Sequence, residues 1–278
     1  MLLDEQTGNL KIRGVFSSLQ VIAFSYNALI AGYCREGKMR ESRSLLQDMI
    51  HWGLMPDDFT CSALVEGYVK TGGLLPCLNL IGHLQKLGVI ISFDIYKCLI
   101  STLCMVSRPN AARSLLKWMF QDGHRPNLEI YNLLIDSFCK CDCMAEALDL
   151  KDDMVGKGIR PDQDTYLILI GCFCRLGTSL EAEQLMSEMV VSGLVPDCNV
   201  CAALVSGYSN EGHFDKAESL LTYFAEKFQI FDNKTYNALI KIYCDEGNVA
   251  KSFELQDRMV KLGFVPDSET CNSLINCT

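Results

Sequence analysis

The chain has 278 residues, 49% of them hydrophobic, with a formal net charge of −9. No stretch approaches the ~18 consecutive apolar residues of a bilayer span, and no Pro-rich, Gly/Ser-rich or charged run marks disorder, so an ordered, packed chain is expected from about residue 20 onward. The acidic balance supplies no whole-chain electrostatic footprint for nucleic acid, which speaks against a partner recognised by bulk charge.

The first residues, MLLDEQTGNLK, carry Asp4 and Glu5 and no apolar run, which excludes the pattern of a secretory signal or of an acid-poor transit peptide. Beyond them Leu recurs at 29, 64, 99, 134, 169, 204, 239 and 274, a spacing of 35 without exception. A second series, at 45, 80, 115, 150, 185, 220 and 255, keeps the same step. The period therefore belongs to a structural unit. It divides the chain into seven repeats, 23–57, 58–92, 93–127, 128–162, 163–197, 198–232 and 233–267, followed by a truncated eighth at 268–278. Residues 1–22 are expected to form a partial or degenerate repeat, with Leu10 in the register of the second Leu series and Gly14 at a position held elsewhere by Met. The whole reads as a segment of a longer array.

Within each repeat, apolar residues stand at positions 4, 7, 8 and 11, as in Tyr131, Leu134, Ile135 and Phe138. That is the i, i+3, i+4, i+7 face of a helix; a strand would alternate. Position 15 is Gly in five repeats and Ser107 or Asp142 in the other two complete exceptions, a residue tolerant of the left-handed backbone that ends a first helix. A second helix is expected to follow. It has small residues at position 20 (Ser42, Cys77, Ala112, Ala147, Ala182, Ala217, Ser252), and its core face holds the second Leu series and position 27 (Met49, Leu84, Met119, Met154, Met189, Phe224, Met259). Gly at position 31 and Pro at position 34, as in Gly158 and Pro161, end it. Pro76 and Pro109 fall at the starts of second helices, where a missing N–H costs least. One hairpin cannot bury both of its apolar faces, so neighbours must stack into an all-α solenoid.

The fifteen Cys fall largely on repeat positions. Five occupy position 12 (Cys34, Cys104, Cys139, Cys174, Cys244), which points to buried thiols in a reducing compartment. Cys139, Cys141, Cys143, Cys172 and Cys174 lack the paired spacing of a zinc site. Cys198 and Cys201 make a C-x-x-C, but none of His51, His83, His124 or His213 is followed by x-Glu, which a deaminase needs. No Ser, Cys or carboxylate recurs beside a His, so no catalytic residue, metal or cofactor is expected.

The segments FSYNALIAGYCREGKMRESRSLLQDMIHWGLMPD (Phe24 to Asp57) and KTYNALIKIYCDEGNVAKSFELQDRMVKLGFVPD (Lys234 to Asp267) closely resemble the pentatricopeptide repeat in its 35-residue form. The resemblance implies a right-handed superhelix and, as its function, sequence-specific binding of single-stranded RNA at about one base per repeat, in organellar (mitochondrial or chloroplast) RNA processing, stability or translation. It also implies that positions 5 and 35 read the base. Asn27 with Asp57, Asn132 with Asp162, and Asn237 with Asp267 match the pair that prefers uracil, in repeats 1, 4 and 7. Ser62 with Ser92 is an uncommon pair. Lys97 with Asn127, and Asp197 and Asp232 opposite Leu167 and Ala202, depart from the pattern. At position 2, where neighbouring side chains sandwich the base, stand Phe24 and Phe59, then Asp94, Glu129, Asp164, Asn199 and Lys234. Arg35, Lys70, Lys140 and Arg175 at position 13 are expected near the phosphates. The competing expectation is a protein-binding scaffold with weak or no RNA affinity, in keeping with the acidic charge.

Overall fold

The computed structural model describes the backbone of residues 4–230 and 233–276, with side chains from residue 20 onward. Among the described residues there are fifteen helices and no strand. They are α1 (Asp4–Arg35), α2 (Met39–His51), α3 (Asp58–Lys70), α4 (Leu74–Lys86), α5 (Phe93–Met105), α6 (Pro109–Gln121), α7 (Leu128–Lys140), α8 (Met144–Gly156), α9 (Gln163–Arg175), α10 (Ser179–Val191), α11 (Cys198–Asn210), α12 (Phe214–Phe228), α13 (Asn233–Asp245), α14 (Val249–Lys261) and α15 (Ser268–Asn276). Two compact halves result, residues 1–126 and 127–278. In the first, α1, α3 and α5 pack in succession and each pairs with the helix that follows it. In the second, the run α7, α9, α11, α13 and α15 packs in the same way, with α8, α10, α12 and α14 as the partners. No described helix is long and apolar enough to cross a membrane.

The repeat period explains these contacts residue by residue. Every small residue at position 20, from Ser42 to Ser252, is fully buried, as is every position-27 side chain from Met49 to Met259. Leu64, Leu99, Leu134, Leu169, Leu204 and Leu239 are 0% exposed, each burial contributing about 1.5 to 3 kcal/mol. Position 15 takes positive φ whatever its residue: Ser107 at 56° and Asp142 at 57° adopt the left-handed turn that Gly supplies elsewhere.

Three departures have local causes. α1 is continuous from Asp4 to Arg35, with no turn between residues 1–22 and repeat 1. The register positions that carry Gly and Pro in later repeats are Ser18 and Val21 here, so nothing stops the helix. As a result Leu29, alone of its series, has no hairpin folded over it and is 54% exposed. In repeat 6, Phe228 replaces the Gly of position 31, and α12 runs for 15 residues before Gln229 turns it with φ 55°.

The tightest approach lies in the second half, where a Cβ on Gly207 of α11 would come within 2.4 Å of Ser179 Oγ and 2.6 Å of Cys174 Cβ. Gly207→Ala is therefore expected to lower stability by about 1 to 3 kcal/mol through overpacking. Gly171→Ala meets no atom within 4 Å and is expected to leave the chemical-denaturation midpoint unchanged or raise it.

Candidate nucleic-acid interface

Position 35 is set first by helix capping. Asp57, Ser92, Asn127, Asp162 and Asp197 are the N-caps of α3, α5, α7, α9 and α11, each accepting a backbone N–H of the first turn. Asp267 accepts from Thr270 N at 2.8 Å in the same manner. A cap of this kind contributes about 1 kcal/mol. The sequence carried the signal, an Asp, Asn or Ser directly before each apolar run, but the resemblance alone assigned these residues only to base reading. Asp232 lies outside the described residues.

Position 5 sits about one turn into α3, α5, α7, α9, α11 and α13, whereas Asn27 lies near the end of the long α1. Asn132 Nδ2 donates to Asp162 Oδ1 at 3.1 Å, and Asn237 Nδ2 to Asp267 Oδ2 at 3.1 Å. Two of the three uracil-type pairs are thus brought side by side. Asn27 and Asp57 share no hydrogen bond, although Asn27 is 7% exposed. The carbonyl oxygens of Asn27 and Asn237 are buried without any hydrogen-bond partner. An orphaned acceptor costs about 1 to 3 kcal/mol, which an incoming N–H donor would relieve. Ser62 and Ser92 make no mutual hydrogen bond, Ser92 Oγ accepting from Ile95 N at 3.4 Å. Lys97 lies on α5 in the first half, and Asn127 caps α7 in the second.

Burial works to raise the Asp162 carboxyl, but hydrogen bonds from the Thr165 N–H, its hydroxyl and Asn132 outweigh that and hold it below the usual carboxylate range. Asp267 is likewise lowered, chiefly by the Thr270 N–H and then by its hydroxyl. Both groups are carboxylates at neutral pH, acceptors only. Because the folded values are depressed, the stability they contribute is present above their ordinary pKa and is lost as pH falls through the folded value.

Position 2 is exposed in all seven repeats, with Phe24 at 74% and Phe59 at 60%. In the first half a cleft of about 380 Å³ is lined by Arg35, Phe59, Ser62 and Lys70, together with Glu66 and the backs of Ala31, Cys34, Ala63 and Gly67. One exposed ring, one position-5 hydroxyl and two cations thus converge on a single concave surface. Arg35 and Lys70 make no ion pair among the described residues. Lys140 and Arg175 differ: Lys140 Nζ is 2.6 Å from Asp136, and Arg175 is held by Asp142 and the Cys139 carbonyl.

Of the position-12 thiols, Cys34, Cys139, Cys174 and Cys244 are buried and Cys104 is half-buried, and burial pushes the Cys61 and Cys77 thiols up to about 12. In the C-x-x-C, Cys198 is exposed and Cys201 is buried.

A model described as the PPR repeat family matches residues 23–70, 126–175 and 232–278, together just over half of the chain, and a PPR repeat model matches 164–194 and 200–223. A pentatricopeptide repeat-containing protein of Arabidopsis thaliana is 48% identical over 48 residues, which cover 17% of this chain and 8% of that protein. A second from Arabidopsis thaliana, described as chloroplastic, is 30% identical over 108 residues, 39% of this chain and 19% of that one. The chain thus spans less than a fifth of the length of either. Among solved structures, the pentatricopeptide repeat protein PPR10 from maize superposes with a TM-score of 0.62 at 23% identity, covering 91% of this chain and 41% of its own. The same protein in complex with an 18-nt psaJ RNA element gives 0.58 at 21% identity, covering 91% and 37%.

Proposed function

The chain belongs to the pentatricopeptide repeat family, and on that premise we propose that its seven repeats, 23–267, bind single-stranded RNA at about one base per repeat, with uracil favoured at repeats 1, 4 and 7. The observation that carries this reading is the recurrence of one amide–carboxylate pair at Asn132–Asp162 and Asn237–Asp267. The carboxylates accept only, and the Asn237 carbonyl is buried and unpartnered, so such a pair favours a base edge that offers an N–H. The exposed rings of Phe24 and Phe59 supply stacking surfaces at the first two repeats. The role is binding, and the chloroplastic relative favours an organellar setting in RNA processing, stability or translation.

The cations set an electrostatic expectation. With Lys140 and Arg175 engaged by chain acids, Arg35 and Lys70 are left as the phosphate contacts. Single strands give a slope of about −0.7 per neutralised phosphate, so log K against log salt is expected near −1.4, against about −2.8 if all four cations took part. Fluorescence anisotropy with the oligoribonucleotide UAAUAAU, alone and annealed to its complement, tests the reading. Binding of the single strand with rejection of the duplex is expected. Equal affinity for both, or none for either, contradicts it.

A further inference from the structure

Each of the three uracil-type pairs is followed by a threonine three residues after its carboxylate: Thr60 after Asp57, Thr165 after Asp162 and Thr270 after Asp267. All three are buried, at 0%, 0% and 2% exposure. Asp197, whose partner Leu167 cannot read a base, is followed by Val200, whereas Asp232, opposite Ala202, is followed by Thr235. Threonine at this place is thus not confined to the uracil-type pairs, and its role must come from its contacts. The backbone N–H of each threonine bonds its carboxylate, at 2.8 Å from Asp57, 2.9 Å from Asp162 and 2.8 Å from Asp267. Any residue at that site could make this bond, so it does not require threonine.

The hydroxyl does more. In repeat 5, Thr165 Oγ1 lies 2.6 Å from Asn132 Oδ1 and 2.8 Å from Asp162 Oδ1, and it accepts the Asp162 N–H at 3.2 Å. With its lone pair turned to Asp162 N–H, its one proton must go to the amide carbonyl or to the carboxylate. With Thr165 Oγ1 within reach of both oxygens and Asn132 Nδ2 on Asp162 Oδ1, amide orientation is tied to carboxylate position whichever oxygen takes the proton. If a base N–H then arrives at Asn132 Oδ1, the hydroxyl proton can turn to Asp162 Oδ1 and leave no polar atom orphaned.

We infer that Thr165 is a positioning residue for base choice at repeat 4: its hydroxyl holds Asn132 and Asp162 in the single arrangement that accepts an N–H donor from the base. This rests on the RNA-binding reading above. Thr60 Oγ1 bonds Asp57 Oδ1 at 2.8 Å but not Asn27, whose carbonyl oxygen is unpartnered, so among the described residues the three-residue arrangement is confined to repeat 4.

The test compares wild type, Thr165→Val and Thr165→Ser on UAAUAAU and UAACAAU, with thermal midpoints recorded alongside. Val keeps the volume and the backbone cap but removes the hydroxyl; Ser restores it. Loss of one well-placed hydrogen bond is expected to cut the preference for UAAUAAU by about five- to tenfold in the Val variant, with recovery in Ser. A purely structural role would lower the thermal midpoint and weaken both RNAs alike, leaving their ratio unchanged. A wild type that discriminates and a Val variant that discriminates equally overturns the inference while sparing the reading. A wild type without preference overturns the reading and this inference with it.

Discussion

Leu134→Ala is expected to lower the unfolding free energy by about 2 to 5 kcal/mol, the range for deleting a buried Leu side chain where the surroundings relax incompletely. Leu134 is 0% exposed on α7, which packs on both α8 and α9. The cavity would therefore touch a hairpin and its successor at once. Leu29→Ala supplies the control at the same repeat position. Its side chain is 54% exposed, and an exposed substitution costs within about 0.5 kcal/mol. Urea unfolding followed by circular dichroism separates the two. Equal losses at both sites would contradict the account of how the stack is built.

Asn132→Ala is expected to leave the fold nearly intact and to remove base choice at one nucleotide. Asn132 is half-buried on the wall of α7, and its polar bonds run to Asp162 and Thr165. Alanine removes the amide while the N-cap of α9, made by Asp162 to the Thr165 N–H, stays in place. Losing a paired polar reader is worth about 1 to 3 kcal/mol of discrimination, roughly 5- to 150-fold, read as the ratio of Kd for UAAUAAU and UAACAAU. Asp162→Ala should differ, costing discrimination and about 1 kcal/mol of stability together, because that residue also caps a helix. If Asn132→Ala unfolded the chain, position 5 would belong to the core.

The helix pairs were legible because one period fixes several physical requirements at once. A buried Leu, a small residue where helices approach and a left-handed stop recur together, and Ser107 and Asp142 show that the backbone demand outranks the residue that meets it. Capping at position 35 was legible in principle, since Asp, Asn and Ser before an apolar run have a local meaning. The threonine hydroxyl was not, because a buried Thr at Thr165 reads in sequence as one more small residue on a helix. Its role depends on Asn132, 33 residues earlier, coming within hydrogen-bond reach. The pairing of Arg175 with Asp142, 33 residues apart, was equally hidden, whereas Lys140 with Asp136 is an i, i+4 pair on one helix.

The central claim is that position 5 and position 35 of repeats 1, 4 and 7 read uracil on a single strand. Selection of this chain against a random single-stranded RNA pool tests it most directly. The account predicts enrichment of sequences with U recurring at every third nucleotide, and loss of the middle U when Asn132 is replaced by alanine. A folded chain that enriches no sequence, or enriches one without that spacing, would contradict it.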